Sequence, residues 1–233
     1  MRKLAFKSLI GAAAAAMLAG PALAAPLVVR SIGPSAKAYP PGRAVGENVP
    51  LILKAGDIVT VLAASGARTL RGPGSFKIAA GGNSPPFNPR SRFGAMRGTE
   101  VPPAPGLWDV DVSRSGNVCL ADSGKAVLWR PAAAAEASLD VAPAAGAGQK
   151  VDWAAGRYVQ LWPKQLPIAD GAEYRLQWAG QGEATRLKFK ALAAAGDDPT
   201  ELAKAFIEKG CEAQLDRLVE IAPKEEEGGQ AAN

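Results

Sequence analysis

Two cysteines, Cys119 and Cys211, are all that the chain carries, and such a pair can be either a disulfide or two separate buried thiols. In an oxidising compartment a pair is normally a structural bridge. Closing a loop of about 90 residues would stabilise the fold by roughly 4 to 5 kcal/mol in the chain-entropy model. Carboxylates offer a second chemistry. Asp109 and Asp111 alternate with Trp108 and Val110, so both project from one strand face, as a hydrolase pair or a calcium site would require; the simpler reading is the solvent face of a strand. Asp170 is the other acid that could pair with Asp109. Arg90, Arg92 and Arg97 surround Phe93, a cluster able to meet phosphates or an acidic polymer as a partner-binding patch, or to sit as scattered charge on a solvated linker. The five tryptophans could stack sugar rings, but Trp108, Trp129, Trp153, Trp162 and Trp178 all lie in alternating runs, which predicts core packing with indole N–H groups bonded near strand ends.

The chain has no histidine, which removes the usual general base near neutral pH and the commonest metal ligand together. Serine–histidine and cysteine–histidine mechanisms are therefore impossible. No Gly-x-Ser-x-Gly turn, phosphate-binding glycine loop or zinc-ligand cluster is present, and beyond the first 24 residues there is no Ser-x-x-Lys pair. The expectation is a non-enzymatic protein with no cofactor and no metal.

The elements that must hold these residues are mostly strands. From Leu27 to Ala80, short β-type runs alternate with turn residues: Leu27 to Val29, Leu51 to Leu53, Ile58 to Leu62, Arg68 to Leu70 and Phe76 to Ile78. The segments Ala55-Gly56-Asp57, Ser65-Gly66 and Gly72-Pro73-Gly74 read as tight connections between antiparallel strands. Six prolines between residues 81 and 106 exclude a persistent helix or central strand there. After Leu107 the period-2 pattern strengthens, at 107–112, 127–129, 139–141, 151–153, 158–162, 174–178 and 187–189, as in a β-sandwich with no call for parallel strands. Ala132 to Ala135 could form a helical turn. Asp198, Pro199 and Glu201 then supply an N-cap, first-turn proline and capping-box acid. Ala203, Ile207, Cys211, Leu215, Leu218 and Ala222 follow near one stripe. Gly210 either lets the strand bearing Cys119 come close or breaks this helix in two.

The predicted fold class is therefore mainly β: a small N-terminal β-module (25–80), a Pro/Gly-rich linker or loop (81–106), a C-terminal β-sandwich (107–190), a C-terminal α-helix packed on the sandwich (191–222) and a disordered tail (223–233). Residues 1–24 read as a signal peptide, with Arg2 and Lys3, an apolar run from Ser8 to Leu18, and Ala22-Leu23-Ala24 placing small residues at the cleavage site. The apolar run is too short to span a bilayer as a stable helix, so no integral membrane segment is expected after cleavage. No cysteine follows it that could carry a lipid. Removing Arg2, Lys3 and Lys7 lowers the net charge from +5 to +2, which no longer points to nucleic acid. The expected location is the periplasm or the extracellular space, and a Gram-negative source fits.

Residues 53–76, LKAGDIVTVLAASGARTLRGPGSF, resemble the start of FecR-like domains, periplasmic β-modules of bacterial regulatory systems, through an apolar–Ala-Gly-Asp–apolar stretch followed by Gly-Pro-Gly. The likeness covers about 25 residues, and the chain lacks the cytoplasmic segment and spanning helix of such regulators. It implies a β-module with a sensing role. The LWRP and LWPKQLPIADGAEYRLQW stretches are similar to uncharacterised secreted proteobacterial proteins. Export, missing catalytic motifs and two β-units joined by a linker together predict a periplasmic binding or sensing scaffold, whose partner is an envelope protein or cell-wall polymer. A carboxylate-based polysaccharide hydrolase and a lectin-like glycan binder are the alternatives.

Overall fold

The computed structural model describes residues 25–46, 49–78, 104–180, 182–192 and 198–224. Those residues form thirteen strands in four sheets and two short helices, the mainly β class expected from the period-2 runs.

In the N-terminal unit, β1 (Leu27–Ile32), β3 (Ile58–Ala63) and β4 (Gly66–Arg71) make an antiparallel sheet in the order β1-β3-β4, while β2 (Leu51–Leu53) pairs with β5 (Gly74–Phe76). Only Ser65-Gly66 joins two strands of one hairpin. The Ala55-Gly56-Asp57 and Gly72-Pro73-Gly74 turns instead carry the chain between sheets, because β2 and β5 pair with each other rather than with their sequence neighbours. The run Ile58–Ala63 is apolar almost throughout because both faces are covered. Val28, Val59, Val61 and Leu70 face a core of this unit, whereas Leu27, Val29 and Leu62 face the opposite way.

The turn before β3 is held by a buried carboxylate. Asp57 accepts from the Ser35 amide at 2.8 Å and the Lys54 amide at 2.5 Å. Gly33, at φ +110°, passes so close that a Cβ there would lie 2.6 Å from the Asp57 Oδ1, which leaves glycine the only fit. Burial alone would raise the Asp57 pKa, but the hydrogen bonds from Ser35 and Lys54 and the Lys54 charge outweigh it and hold the carboxyl below its ordinary value. A depressed folded-state pKa adds stability that is present above the unfolded value and lost as pH falls through the folded one. Thermal unfolding of wild type should therefore drop below about pH 4, and Asp57→Asn should melt lower than wild type at pH 7 while flattening that acid limb. Superimposable acid limbs would contradict this.

The second unit is sandwich-like. A five-stranded sheet runs β10 (Gln149–Trp153), β9 (Ala137–Pro143), β12 (Glu173–Trp178), β13 (Thr185–Ala191), β7 (Gly116–Leu120), and a three-stranded sheet runs β11 (Val159–Leu161), β8 (Val127–Trp129), β6 (Asp109–Asp111). Val110 and Leu128 from the smaller sheet meet Leu139, Val141, Tyr174, Leu176, Leu187 and Phe189 from the larger. Trp162 stands edge-on to Tyr174 and Phe189, with ring centroids 4.9 and 5.1 Å away, and its indole donates to the Leu166 carbonyl at 2.7 Å. Two pairs, β13 with β7 and β6 with β8, are parallel. This corrects the antiparallel expectation: each strand reaches its partner by a long excursion through other elements, which period-2 patterning does not register. Ala132 to Ala135 form no helical turn; Ala132 and Ala133 are irregular and Ala134 and Ala135 lie in a bend.

The C-terminal helix is two helices, α1 (Pro199–Lys209) and α2 (Glu212–Ile221). Asp198 caps α1 by accepting from the Thr200 and Glu201 amides, with Pro199 in the first turn as expected. Gly210 ends α1 in the left-handed conformation, φ +66°. A Cβ there would lie 3.1 Å from the Asn117 side chain of β7, so this glycine both breaks the helix and permits the close approach. The helices are not simply laid on the sandwich. Leu202, Ala203, Phe206 and Leu218 share one buried core with Leu27, Val29 and Leu62 of the N-terminal sheet and with Leu107, Cys119 and Leu192 of the second unit. The pair is thus a wedge between both β-units, possible because α1 buries one face against β1 and β3 and reaches β7 as well. The tail also starts later than expected: the Ala67 amide donates to the Pro223 carbonyl at 2.8 Å and Lys224 bridges to Ala67, which occupies the free edge of β4. Residues 1–24, read above as a signal peptide, and all but the last three residues of the segment 81–106 lie outside the described residues.

Candidate functional site

Cys119 and Cys211 are bonded, with Cα atoms 5.9 Å apart and both residues fully buried. The bond fastens the elbow between α1 and α2 to strand β7, the outermost strand of the larger sheet. Burial makes this a structural clamp and not an exchanging thiol pair. One helical turn past Cys211, the buried Gln214 amide docks on the same strand. Its oxygen accepts from the Cys119 amide at 2.7 Å, and its nitrogen donates to the Cys119 carbonyl. Gln214 thereby takes the place of a neighbouring strand and closes a sheet edge. Asn117 adds a bond to the Lys209 carbonyl at 2.7 Å, capping α1. Gln214 escaped the sequence reading, although its position three residues after Cys211 puts it on the helix face that must meet β7.

Beside this clamp, α2 and the turn from β6 to β7 wall a groove of about 370 Å³. Five carboxylates line it, from Asp109, Asp111, Glu212, Asp216 and Glu220, against the guanidiniums of Arg114 and Arg217. Asp216 is the hinge of its charge network. It pairs with Arg30 on β1 and, at 3.2 Å, with Arg114, so one helix carboxylate meets a cation from each β-unit. Arg217 pairs with Glu220 at 2.8 Å. Exposed pairs of this kind contribute little stability, about 0 to 1 kcal/mol each, and act mainly on orientation and recognition.

Of the acids expected to do carboxylate chemistry, Asp109 and Asp111 both line the groove, whereas Asp170 does not. Asp109 accepts from the Gly106 amide at 2.7 Å, Asp111 from the Ser113 amide and hydroxyl, and Asp170 from the Ala191 amide at 2.8 Å. Each is engaged in its own turn, and Asp170 belongs to a different sheet end from the groove. Among the described residues, no three potential metal ligands of the His, Cys, Asp or Glu type converge, and no helix is long and apolar enough to cross a membrane. Arg90, Arg92, Phe93 and Arg97 lie outside the described residues.

A second recess, of about 540 Å³, opens where β9, β10 and β12 end. It is lined by Glu136, Ser138, Asp152, Trp153 and Trp178. The register aligns Asp152 with Ser138 and Trp153 with Ala137, so side chains from neighbouring strands meet there. Buried Arg130 stands behind it, donating to the carbonyls of Arg157 at 2.9 Å and of Ala135 and Ala154 at 3.0 Å, with its guanidinium 5.0 Å from the Trp153 ring centroid. Burial lowers the Arg130 pKa, partly offset by Tyr158; a guanidinium still keeps its proton at any ordinary pH. The Trp153 indole N–H is buried and has no hydrogen-bond partner, an arrangement that costs about 1 to 3 kcal/mol when left unmet. Of the five tryptophans, Trp129, Trp153 and Trp162 are buried as expected, whereas Trp108 and Trp178 are only partly so.

No protein-family model, curated protein or solved structure matches the chain, so the reading of its function rests on its own residues and their geometry.

Proposed function

We propose that the chain is a non-enzymatic exported binding protein of the periplasm or extracellular space, whose envelope partner docks in the groove between α2 and the β6–β7 turn. One observation carries this reading: the groove is walled by the very helix that the disulfide and Gln214 clamp to β7. A recognition surface fixed before binding loses little entropy on association. The excess of carboxylates in the groove suits a segment rich in Lys and Arg, with Arg114 and Arg217 setting its register against the partner's own acids. Because Asp216 touches cations of both β-units, a ligand competing for it would also alter how they are tied, which fits a sensing role. The likeness of residues 53–76 to FecR-like domains supports the same reading, as do the leader-like residues 1–24 and the buried disulfide.

The test is photo-crosslinking from position 213, between Glu212 and Gln214, in intact cells, followed by mass spectrometry. One specific adduct is expected. Glu212→Lys with Glu220→Lys, both exposed and so of small effect on folding, should cut its yield about tenfold. Recovery of abundant bystanders alone, indifferent to the charge reversal, would reject the reading.

A further inference from the structure

The outward face of the larger sheet carries a charge arrangement that the fold does not balance. In β12 and β13 the alternate residues Tyr174, Leu176, Leu187 and Phe189 are buried in the core between the sheets, so Glu173, Arg175, Arg186, Lys188 and Lys190 project from the opposite side. Glu173 stands opposite Lys188 in the register and pairs with it at 2.7 Å. The next two positions on this face, Arg175 and Arg186, also stand directly opposite each other. The Arg186 amide donates to the Ser115 hydroxyl at 3.0 Å and not to β12. This makes the two arginines a non-hydrogen-bonded pair, in which Cα atoms come within about 4.5 Å and side chains lie closest. Like charges so placed destabilise a sheet. Both residues are exposed, and among the described residues neither guanidinium has an ion-pair partner. Two guanidinium forks side by side, with no carboxylate of their own, form a clamp for an oxyanion that comes from outside.

The surroundings separate the classes of anion. The aromatic residues of these strands, Tyr174, Trp178 and Phe189, pack with the core, so a nucleic-acid strand would find no ring on which to stack its bases. A bilayer surface calls for a broad cationic plane with apolar residues to insert. This cationic row is one strand pair wide, is flanked by Glu173 and by Asp140 diagonally across from Arg175, and holds none of the exposed large hydrophobic side chains. Inorganic polyphosphate bears acceptors throughout and would be repelled by those acids. An acidic polysaccharide fits, because its charged groups meet the arginines while its hydroxyls donate to Glu173 and Asp140.

We propose that the outer face of β12 and β13 binds a linear acidic polysaccharide, with Arg175 and Arg186 clamping one carboxylate or sulfate group and Lys190, further along β13, meeting another. None of these cations lines the α2 groove, and neither proposal depends on the other.

The test is calorimetric titration of the purified chain with tetragalacturonate and a heparin tetrasaccharide, with cellotetraose, tripolyphosphate and phosphatidylglycerol vesicles as the competing classes. Saturable binding of at least one acidic tetrasaccharide is expected, and it should weaken as salt is raised. Arg175→Gln with Arg186→Gln should weaken it at least about tenfold, and Arg175→Lys severalfold, because an ammonium cannot form the two-point fork. Lys164→Gln, which removes an exposed cation elsewhere, should leave it unchanged. Since the two arginines repel each other, either glutamine variant should unfold at the same or a higher urea concentration than wild type, which separates loss of binding from loss of the fold. Absence of saturable binding by both acidic tetrasaccharides, binding indifferent to the double change, an equal loss from Lys164→Gln, or tighter binding of cellotetraose, tripolyphosphate or the vesicles would overturn the assignment.

Discussion

Cys119→Ala combined with Cys211→Ala is expected to unfold far more easily than wild type. The bond spans a sequence separation of 92 residues, for which loop-closure entropy gives about 4.6 kcal/mol. Its location adds to that figure's consequence. Cys211 sits at the elbow of the two helices that form the common core of both β-units, so freeing the elbow loosens the wedge against β7 and the N-terminal sheet together. A loss of 3 to 5 kcal/mol corresponds to a urea midpoint lower by roughly 1 to 2 M and a Tm lower by about 10 °C. Treating wild type with a reductant in mild urea should reproduce the shift. Alanine is chosen because serine would bury two hydroxyls and confuse the comparison. An unchanged midpoint would mean that the helix pair holds its place without the bond.

Phe206→Ala is the second large effect. The ring is fully buried and stands edge-on to Trp108, with centroids 5.9 Å apart and an interplanar angle of 66°. Around it lie residues from α1, α2 and both β-units, none of which can close a phenyl-sized gap without moving a strand. Truncation should therefore cost about 3 to 5 kcal/mol, and Phe206→Leu under about 1.5 kcal/mol. Trp108 provides a local reporter, and its emission should shift to the red in Phe206→Ala as water reaches its edge. Denaturant titration checks the stability, and hydrogen exchange should show protection falling in β1 and β3 as well as in β7. Loss confined to the second unit would show that the N-terminal sheet does not depend on the wedge. Since Phe206 and Cys211 share this core, the alanine changes should not add when combined.

Local signals were the legible ones. The alternation in Glu173–Trp178 and Thr185–Ala191, the Asp198-Pro199 cap and the cysteine pair each depend on neighbours within a few residues, or on the compartment, and each reads correctly from the text. Pairing is a different matter. β7, Gly116–Leu120, has a weak period-2 pattern because one side is closed by Gln214 from a helix and not by another strand, and its parallel alignment with β13 is set by contacts about 70 residues away. The place of α1 between two units was hidden for the same reason: its stripe reads as one buried face, whichever partner covers it. At the candidate sites, Asp109, Asp111 and the tryptophans were visible as residues, but not what they join. Asp216 becomes a junction only when Arg30 and Arg114 arrive from different units, and Asp152 meets Ser138 across a strand register that residue types do not specify. Arg130 in LWRP carried one usable clue, a cation embedded in an apolar run, which marks a buried charge in need of carbonyl partners.

An exported scaffold locked by one structural bridge is the claim on which the binding proposals stand, and intact-mass spectrometry of the chain recovered from fractionated cells, under non-reducing conditions, tests it most directly. The expected result is a species in the periplasmic or extracellular fraction that begins at Ala25 and weighs two hydrogens less than its reduced form, with no thiol open to alkylation after denaturation. A cytoplasmic species that retains Met1 to Ala24 and takes up two alkyl groups would contradict it.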